Sequence, residues 1–267
     1  MVETRQGTPD PDGAAAVLEG ACVRFGTVEA LRGITLTVPR GIHATVIGPN
    51  GSGKSTLLGL LSGLVRAEVG RVEVLGDLPG RSGGRVAHVL QSTAIREEVP
   101  MTVRETVRLG TYARLGILRP AGRATRQAVD DALERLRIAD LANRPLHELS
   151  GGQRQRAFIA QGLVQDADLL LLDEPINGLD VPSQEVITQV MADEVARGRT
   201  VVVSTHDIGA AASSDLVVLV ATRLIAAGAP SSVLAPERLL AAYGRQLAGV
   251  LDPATLDPAT LSSEVLP

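Results

Sequence analysis

Gly48-Pro49-Asn50-Gly51-Ser52-Gly53-Lys54-Ser55-Thr56 is the stretch from which the rest of this chain can be read. It fits G-x-x-x-x-G-K-[ST], a loop whose glycines let successive backbone N–H groups turn toward an anion while the lysine reaches phosphate oxygens. Lys54 is the only lysine in the 267 residues, and every other cationic side chain apart from histidine is arginine. A compact ammonium fits among phosphate oxygens where a broad planar guanidinium does not, so the exception marks a phosphate contact. The flanks agree. Ala44 to Ile47 reads as a buried strand, and Ser55 to Leu61 as a helix whose N-terminus faces the phosphates. All nine residues from Gly48 to Thr56 are therefore expected to bind a nucleoside triphosphate.

Composition bounds the rest. Aromatic residues make up 1% of the chain and tryptophan is absent, so the core must be built from Val, Leu, Ile and Ala. A formal net charge of −4 argues against a general nucleic-acid binder, and no nucleic-acid partner is expected. Cys22 is the single cysteine, so no intrachain disulfide can form. No apolar run approaches the roughly 18–20 residues that span a bilayer; the best, Leu216 to Ala221, is cut short by Arg223 and reads as a strand. The N-terminus, with Glu3 and Asp10 among Gly and Pro, lacks the order of a signal peptide. A cytoplasmic chain follows as the expectation.

Patterned structure is expected from 17 to 244. Residues 1–16, rich in Pro, Gly and Asp, read as a disordered tail. Residues 245–267 read as a flexible tail in which Leu251-Asp252-Pro253-Ala254-Thr255 repeats at once as Leu256 to Thr260. Short strands alternate up to Ile47, and Val72 to Val74 and Val86 to Val89 add more. From about 92 to 148 the pattern turns helical. The clearest stripe is Ala124, Ala128, Val129, Ala132, Leu133 and Leu136. Strand and helix then alternate again: helix Gln153 to Val164, strand Leu169 to Leu172, helix Pro182 to Ala196, strand Val201 to Ser204. Continuous apolar strands separated by helices predict an α/β fold with a mostly parallel sheet, interrupted by a helical insertion.

Two further motifs carry chemistry. Leu169-Leu170-Leu171-Leu172-Asp173-Glu174-Pro175 is an apolar strand that ends in two carboxylates. Beside a phosphate loop, Asp173 is the expected Mg²⁺ ligand together with the Ser55 hydroxyl, and Glu174 is expected to polarise water at the γ-phosphate. Leu149-Ser150-Gly151-Gly152-Gln153 opens a helix, with Ser150 as N-cap and glycines that leave the terminal amides open to an anion. A second anion-binding loop is explained if two copies meet head to tail, each offering this loop to the phosphate held by the other.

With these motifs the chain resembles the ATP-binding cassette (ABC) ATPases, whose signature is L-S-G-G-Q, over residues 17 to 244 and in the family's order. The resemblance implies a P-loop NTPase (RecA-like) core with a small antiparallel β subdomain and an inserted α-helical subdomain, using ATP and Mg²⁺. Residue by residue, it implies that Phe25 stacks on adenine and that Gln91 meets Mg²⁺ and the attacking water. It implies that Ser150, Gly151, Gly152 and Gln153 contact the partner's nucleotide. Asn177-Gly178-Leu179-Asp180 resembles the loop that crosses the dimer interface, placing Asp180 there. His206, in Ser204-Thr205-His206-Asp207, is similar to the histidine that contacts the γ-phosphate. Catalysis would then rest on Glu174, His206, Gln91 and Lys54. His43, His88 and His147 lack metal-ligand spacing and read as structural or solvent-facing.

The resemblance also implies partners: integral membrane permease subunits, a second copy of this chain, and an extracytoplasmic solute-binding protein, with the ATPase peripheral on the inner face of the membrane. Val99 to Gly110, Ala113 to Gly116 and Leu240-Ala241-Ala242-Tyr243-Gly244 look like the ATPases of zinc, manganese and iron-type importers. Ferric-siderophore importers share much of this pattern, and exporters of drugs or lipids share every catalytic motif. A DNA-repair ATPase of this kind would need a long coiled coil between the two phosphate loops, and Ser92 to Glu148 holds no sustained heptads.

Overall fold

The structure, a computed structural model, describes residues 13–91, 101–116 and 122–244. Two sheets grip one helix. The smaller sheet pairs β1 (Ala14–Phe25) antiparallel with both β2 (Val28–Pro39) and β4 (Val69–Val74), in the order β2-β1-β4. The larger takes β3 (His43–Ile47), β5 (Val86–Val89), β6 (Leu169–Asp173), β7 (Thr200–Ser204), β8 (Leu216–Ala221) and β9 (Arg223–Gly228) in the order β5-β6-β7-β3-β8-β9. All its pairings are parallel except β8 with β9. Every residue of β6 and β7 is buried. Such unbroken apolar runs suit a sheet covered on both faces, where alternation would leave polar groups without water.

Helix α1 (Lys54–Ser62) lies between the sheets and buries Leu57, Leu58, Leu60 and Leu61 in one cluster with Leu18 of β1, Val46 of β3 and Leu171 of β6. Because each such leucine contributes about 1.5–3 kcal/mol on burial, the phosphate loop that starts this helix is anchored from behind. The helical insertion comprises α2 (Val103–Leu109), α3 (Tyr112–Leu115), α4 (Arg123–Arg135) and α5 (Gly151–Leu163). A reciprocal cap between Thr102 and Glu105 fixes the start of α2. Beyond it lie α6 (Val181–Ala196), α7 (Ile208–Ala211), α8 (Pro230–Val233) and α9 (Pro236–Tyr243). No helix of the described residues is long and apolar enough to cross a membrane.

Some expectations shift. The N-terminal tail does not extend to residue 16: Ala14 and Ala16 pair with Pro39 and Val38, and Ala14, Ala15 and Ala16 are buried. Alanine is a weak strand former, so its register in β1 comes from the partner strand. On α4 only Val129, Ala132 and Leu133 are buried, continued by Leu136, while Ala124 and Ala128 are exposed. Those two alanines favour the helix without packing it. Residues 1–12, the run from Ser92 to Pro100 with its Val99, and the duplicated segment near the C-terminus lie outside the described residues.

Candidate active site

Parallel pairing brings the C-terminal ends of β5, β6, β7 and β3 to one edge of the large sheet, and the chain leaves that edge through Gln91, Glu174, His206 and the phosphate loop respectively. Open α/β sheets place ligands at this edge because the loops emerging there are adjacent in space while distant in sequence. The register is tight. Asp173 pairs with Ser204, and Ser204 with Val46 just before the loop.

The loop itself admits little but its own sequence. Gly48 has φ 154°, and a Cβ there would sit 2.0 Å from the Val220 carbonyl oxygen and 2.7 Å from Ser52 Oγ. Gly53 has φ 100°, with the Ala30 carbonyl oxygen 2.6 Å from where a Cβ would lie. Both are excluded to any L side chain, by backbone conformation and by contact. The Lys54 ammonium donates to the carbonyls of Gly48 (2.9 Å) and Pro49 (3.3 Å), curling back over the loop. Burial lowers its pKa, and the nearby Glu174 and Asp173 carboxylates oppose that shift. Ser52 Oγ is buried without a hydrogen-bond partner. Ser55 is exposed and Thr56 half-buried at the start of α1, where the first helical amides have no intrahelical acceptor. A cation over its own carbonyls, free amides and an orphaned hydroxyl fit a bound polyphosphate.

The two carboxylates part company at the end of β6. Asp173 is buried, and its Oδ1 accepts the Ser204 hydroxyl. Glu174 turns the other way with φ 47°, its N–H donating to Ser204 Oγ (3.0 Å) and to the Ser204 carbonyl (3.1 Å). Its Oε2 accepts Gln91 Nε2 at 3.2 Å and Asn177 Nδ2 at 3.0 Å, and lies 3.9 Å from His206 Nδ1. Of the four residues expected to be catalytic, Gln91 and His206 thus face one oxygen of the third, Glu174, and the fourth, Lys54, is within Coulombic reach.

The signature loop opens its helix as expected and makes no hydrogen bond to its own phosphate loop among the described residues. Ser150 caps α5: its Oγ accepts the Gln153 N–H (3.3 Å), and Gln153 Oε1 accepts the Ser150 N–H (3.0 Å). Ser150 and Gly151 are exposed, and Gly152 is buried so closely that a Cβ would meet Ser183 Oγ at 2.6 Å and Asp180 Oδ1 at 2.7 Å. Asp180, the N-cap of α6, therefore packs against the signature of the same chain, and the Ser183 hydroxyl beside it holds its carboxyl below the usual range. Among the described residues no hydrogen bond joins Ser150 to Gln153 with Gly48 to Thr56. Phe25 ends β1 with an exposed ring, a free aromatic face rather than a core residue.

Two contacts to the carboxylates were not foreseen from sequence, one of them made by Asn177, which was read only as part of the loop expected at a dimer interface. Ser204 ties both carboxylates to β7, and a hydroxyl closing the otherwise apolar run Val201-Val202-Val203 is the signal that could have found it. Asn177 braces Glu174, a contact set by a tight turn that spacing does not reveal. A cleft of about 220 Å³ beside Glu174 is lined by Gln91, Gly151, Arg154 and Gln155 as well as residues 177–179.

Comparison with known proteins places this geometry. Residues 31–177 match the family model described as ABC transporter. The chain is 39% identical over 222 residues to the zinc transport system ATP-binding protein TroB of Treponema pallidum, covering 82% of this chain and 83% of that one. It is 36% identical to the manganese transport system ATP-binding protein MntB of Listeria monocytogenes, over 85% of this chain and 95% of the relative. Among solved structures it superposes on an inward-facing metal-chelate-type ABC transporter with TM-score 0.75 and 27% identity, covering 86% of this chain and 88% of the other.

Proposed function

This chain belongs to the ABC transporter family of ATPases, and from that premise we propose that its ATP hydrolysis energises import of a zinc, manganese or iron-type metal ion through a separate membrane permease. The observation that carries the catalytic part is the convergence of Gln91, Asn177 and His206 on Glu174 Oε2. The cargo rests on relatives named for zinc and manganese transport.

Transfer of a γ-phosphoryl group to water is mostly positioning and charge neutralisation. In the proposed mechanism the amides of Gly48 to Thr56 and the Lys54 ammonium hold the β- and γ-phosphates, and Phe25 offers its ring to the adenine. Glu174 accepts a proton from a water molecule while the water oxygen bonds to the γ-phosphorus and the bond to the departing ADP oxygen breaks. Gln91 orients that water, and His206 faces the oxygens on which charge develops. Ser55, Gln91 and Asp173 offer a few hard oxygen donors, which fits a Mg²⁺ ion that keeps water and phosphate oxygens for the rest of its shell. When bound, the ion would add positive charge against the phosphates.

Exposed Ser150 and Gly151, unattached to their own phosphate loop, support a head-to-tail dimer in which each signature closes on the partner's γ-phosphate. The permease would carry the closure across the membrane from its inner face, and an extracytoplasmic solute-binding protein would deliver the ion. Uptake of radioactive zinc and manganese, in cells lacking this chain and complemented with wild type or Glu174→Gln, tests the reading. Wild type should restore uptake; Glu174→Gln should bind Mg-ATP, hold a long-lived dimer and hydrolyse ~100-fold more slowly or worse, the lower range for loss of a general base. Restored uptake of a ferric siderophore alone, or restored efflux of a drug, would replace the metal ion with that cargo.

A further inference from the structure

Thr222 is the single residue between β8 and β9, whose last and first residues, Ala221 and Arg223, already pair across the turn. The chain reverses there with φ 60°. A β-branched residue rarely adopts this left-handed region, which glycine takes at no steric cost. Two backbone hydrogen bonds hold it. The Thr222 N–H donates to the Ser52 carbonyl at 2.8 Å, and the Thr222 carbonyl accepts the Arg32 N–H of β2 at 2.7 Å. One strained residue therefore joins both sheets to the middle of the phosphate loop. Conformations of this kind persist where the surroundings over-determine them, and they concentrate at working sites.

In a planar trans peptide the carbonyl and the following N–H point in opposite directions. With the Ser52 carbonyl taken by Thr222, the Gly53 N–H faces away from the turn, and no acceptor among the described residues takes it. Rotating that peptide by half a turn would break the Thr222 bond and present the negative end of the carbonyl to an anion instead. The loop has little other freedom: a Cβ on Gly48 would strike the Val220 carbonyl oxygen, and one on Gly53 the Ala30 carbonyl oxygen. β8 and β2 thus wall the loop, while Thr222 sets which way one of its peptides faces.

We propose that Thr222 is a positioning residue for ATP: by holding the Ser52 carbonyl outward, it keeps the Gly53 N–H aimed at the phosphates before the nucleotide arrives. Thr222 touches no reacting atom. It acts through its backbone, so its side chain is dispensable and its N–H is not. The inference rests on the ATP-binding reading of the phosphate loop and is independent of the cargo.

Replacing Thr222 by its α-hydroxy analogue tests it, since the N–H becomes an ester oxygen and the side chain is kept. Calorimetric titration of the full chain with Mg-ATP should show Kd raised about tenfold, as for loss of one donor to an anion, with unchanged stoichiometry. The KM for ATP should rise in step, with kcat within about threefold. Thr222→Gly keeps the N–H and accepts the same φ, so it should bind Mg-ATP within about twofold of wild type and unfold at an equal or higher urea concentration. Hydrogen exchange of the unmodified protein gives a check that needs no variant: the Thr222 amide should be protected before nucleotide is added, because the turn is formed in advance. Binding of Mg-ATP by wild type tests the phosphate loop itself, and the ratio of ester protein to wild type tests Thr222. Wild-type Kd in the ester protein, an equal loss of affinity in Thr222→Gly, or a Thr222 amide that gains protection only with nucleotide would overturn the proposal.

Discussion

Glu174 holds a backbone conformation that its side chain does not favour. At φ 47° it sits in the left-handed region, where a residue with a Cβ is disfavoured by about 1–2 kcal/mol. What keeps it there is Ser204, which takes the Glu174 N–H on two oxygens and so forces the turn directly after Asp173. The turn separates two carboxylates that a continuing strand would merely alternate. Strain of this kind persists where the surroundings over-determine it. Glu174→Gly should therefore behave unlike an ordinary glutamate-to-glycine change. Relief of the left-handed penalty offsets the roughly 0.5–1 kcal/mol of extra chain entropy that glycine brings, so the urea midpoint should stay level or rise while ATP turnover disappears. A midpoint drop equivalent to 1 kcal/mol or more would show that the conformation is not strained. This feature was illegible in the sequence, because glutamate is not a residue that announces a positive φ. Gly48 and Gly53, whose conformations do require glycine, were legible for the same physical reason in reverse.

At the scale of elements, a buried carboxylate adds a charged tie between the helical insertion and the core, which already share one apolar cluster. Glu194 of α6 has a side chain only 2% exposed, and Oε1 takes Arg135 of α4 at 2.7 Å and Arg197 at 3.1 Å, while Oε2 takes Arg199 at 3.1 Å. Arg199 also pairs with Asp166, which in turn holds Arg114 at 2.8 Å. The arginines keep access to water and the glutamate does not. Losing the anion should therefore cost more than losing any one cation. Glu194→Ala should destabilise by about 3 kcal/mol, near the lower end for breaking a buried pair, and Arg135→Leu by about 1 kcal/mol, as for a partly exposed one. Denaturant midpoints for both variants decide it; an equal or larger loss for Arg135→Leu would contradict the asymmetry. Periodicity located α4 and α6 to within a few residues. It could not say that Glu194, rather than Asp193 beside it, turns inward, because that depends on Arg135 brought in from α4 as well as on Arg197 and Arg199 just beyond it. Ala124 and Ala128 fail in the complementary way: they lie on the apolar stripe, yet no neighbour covers them.

For the whole molecule, the order of motifs along the chain was enough to predict a parallel sheet with its chemistry at one edge, since parallel strands must deliver their C-terminal ends together. Which strand neighbours which was not legible, and with it the burial of two histidines. His43 of β3 and His88 of β5 each enclose an Nε2 without a hydrogen-bond partner, and His88 Nδ1 meets Ser62 Oγ at 3.0 Å. Burial lowers both pKa values below 6.5, opposed by Asp215 for His43 and by Asp173 for His88. In the unfolded chain both imidazoles take up protons near pH 6.5, while in the folded protein they resist until lower pH. The unfolded state therefore binds more protons in that interval, so stability is complete above pH 6.5 and declines as pH falls, by at most about 1.4 kcal/mol per pH unit for each histidine. Asp166 and Asp180 have lowered pKa values and act in a separate window, below their ordinary 3.8. The melting temperature should accordingly be flat between pH 7 and 8 and drop between pH 6.5 and 5. His88→Asn has no proton to gain and keeps a polar group toward Ser62, so it should be less stable at pH 7.5 but lose less on acidification. A slope from pH 6.5 to 5 as steep in His88→Asn as in wild type would rule this histidine out as a source of the acid sensitivity.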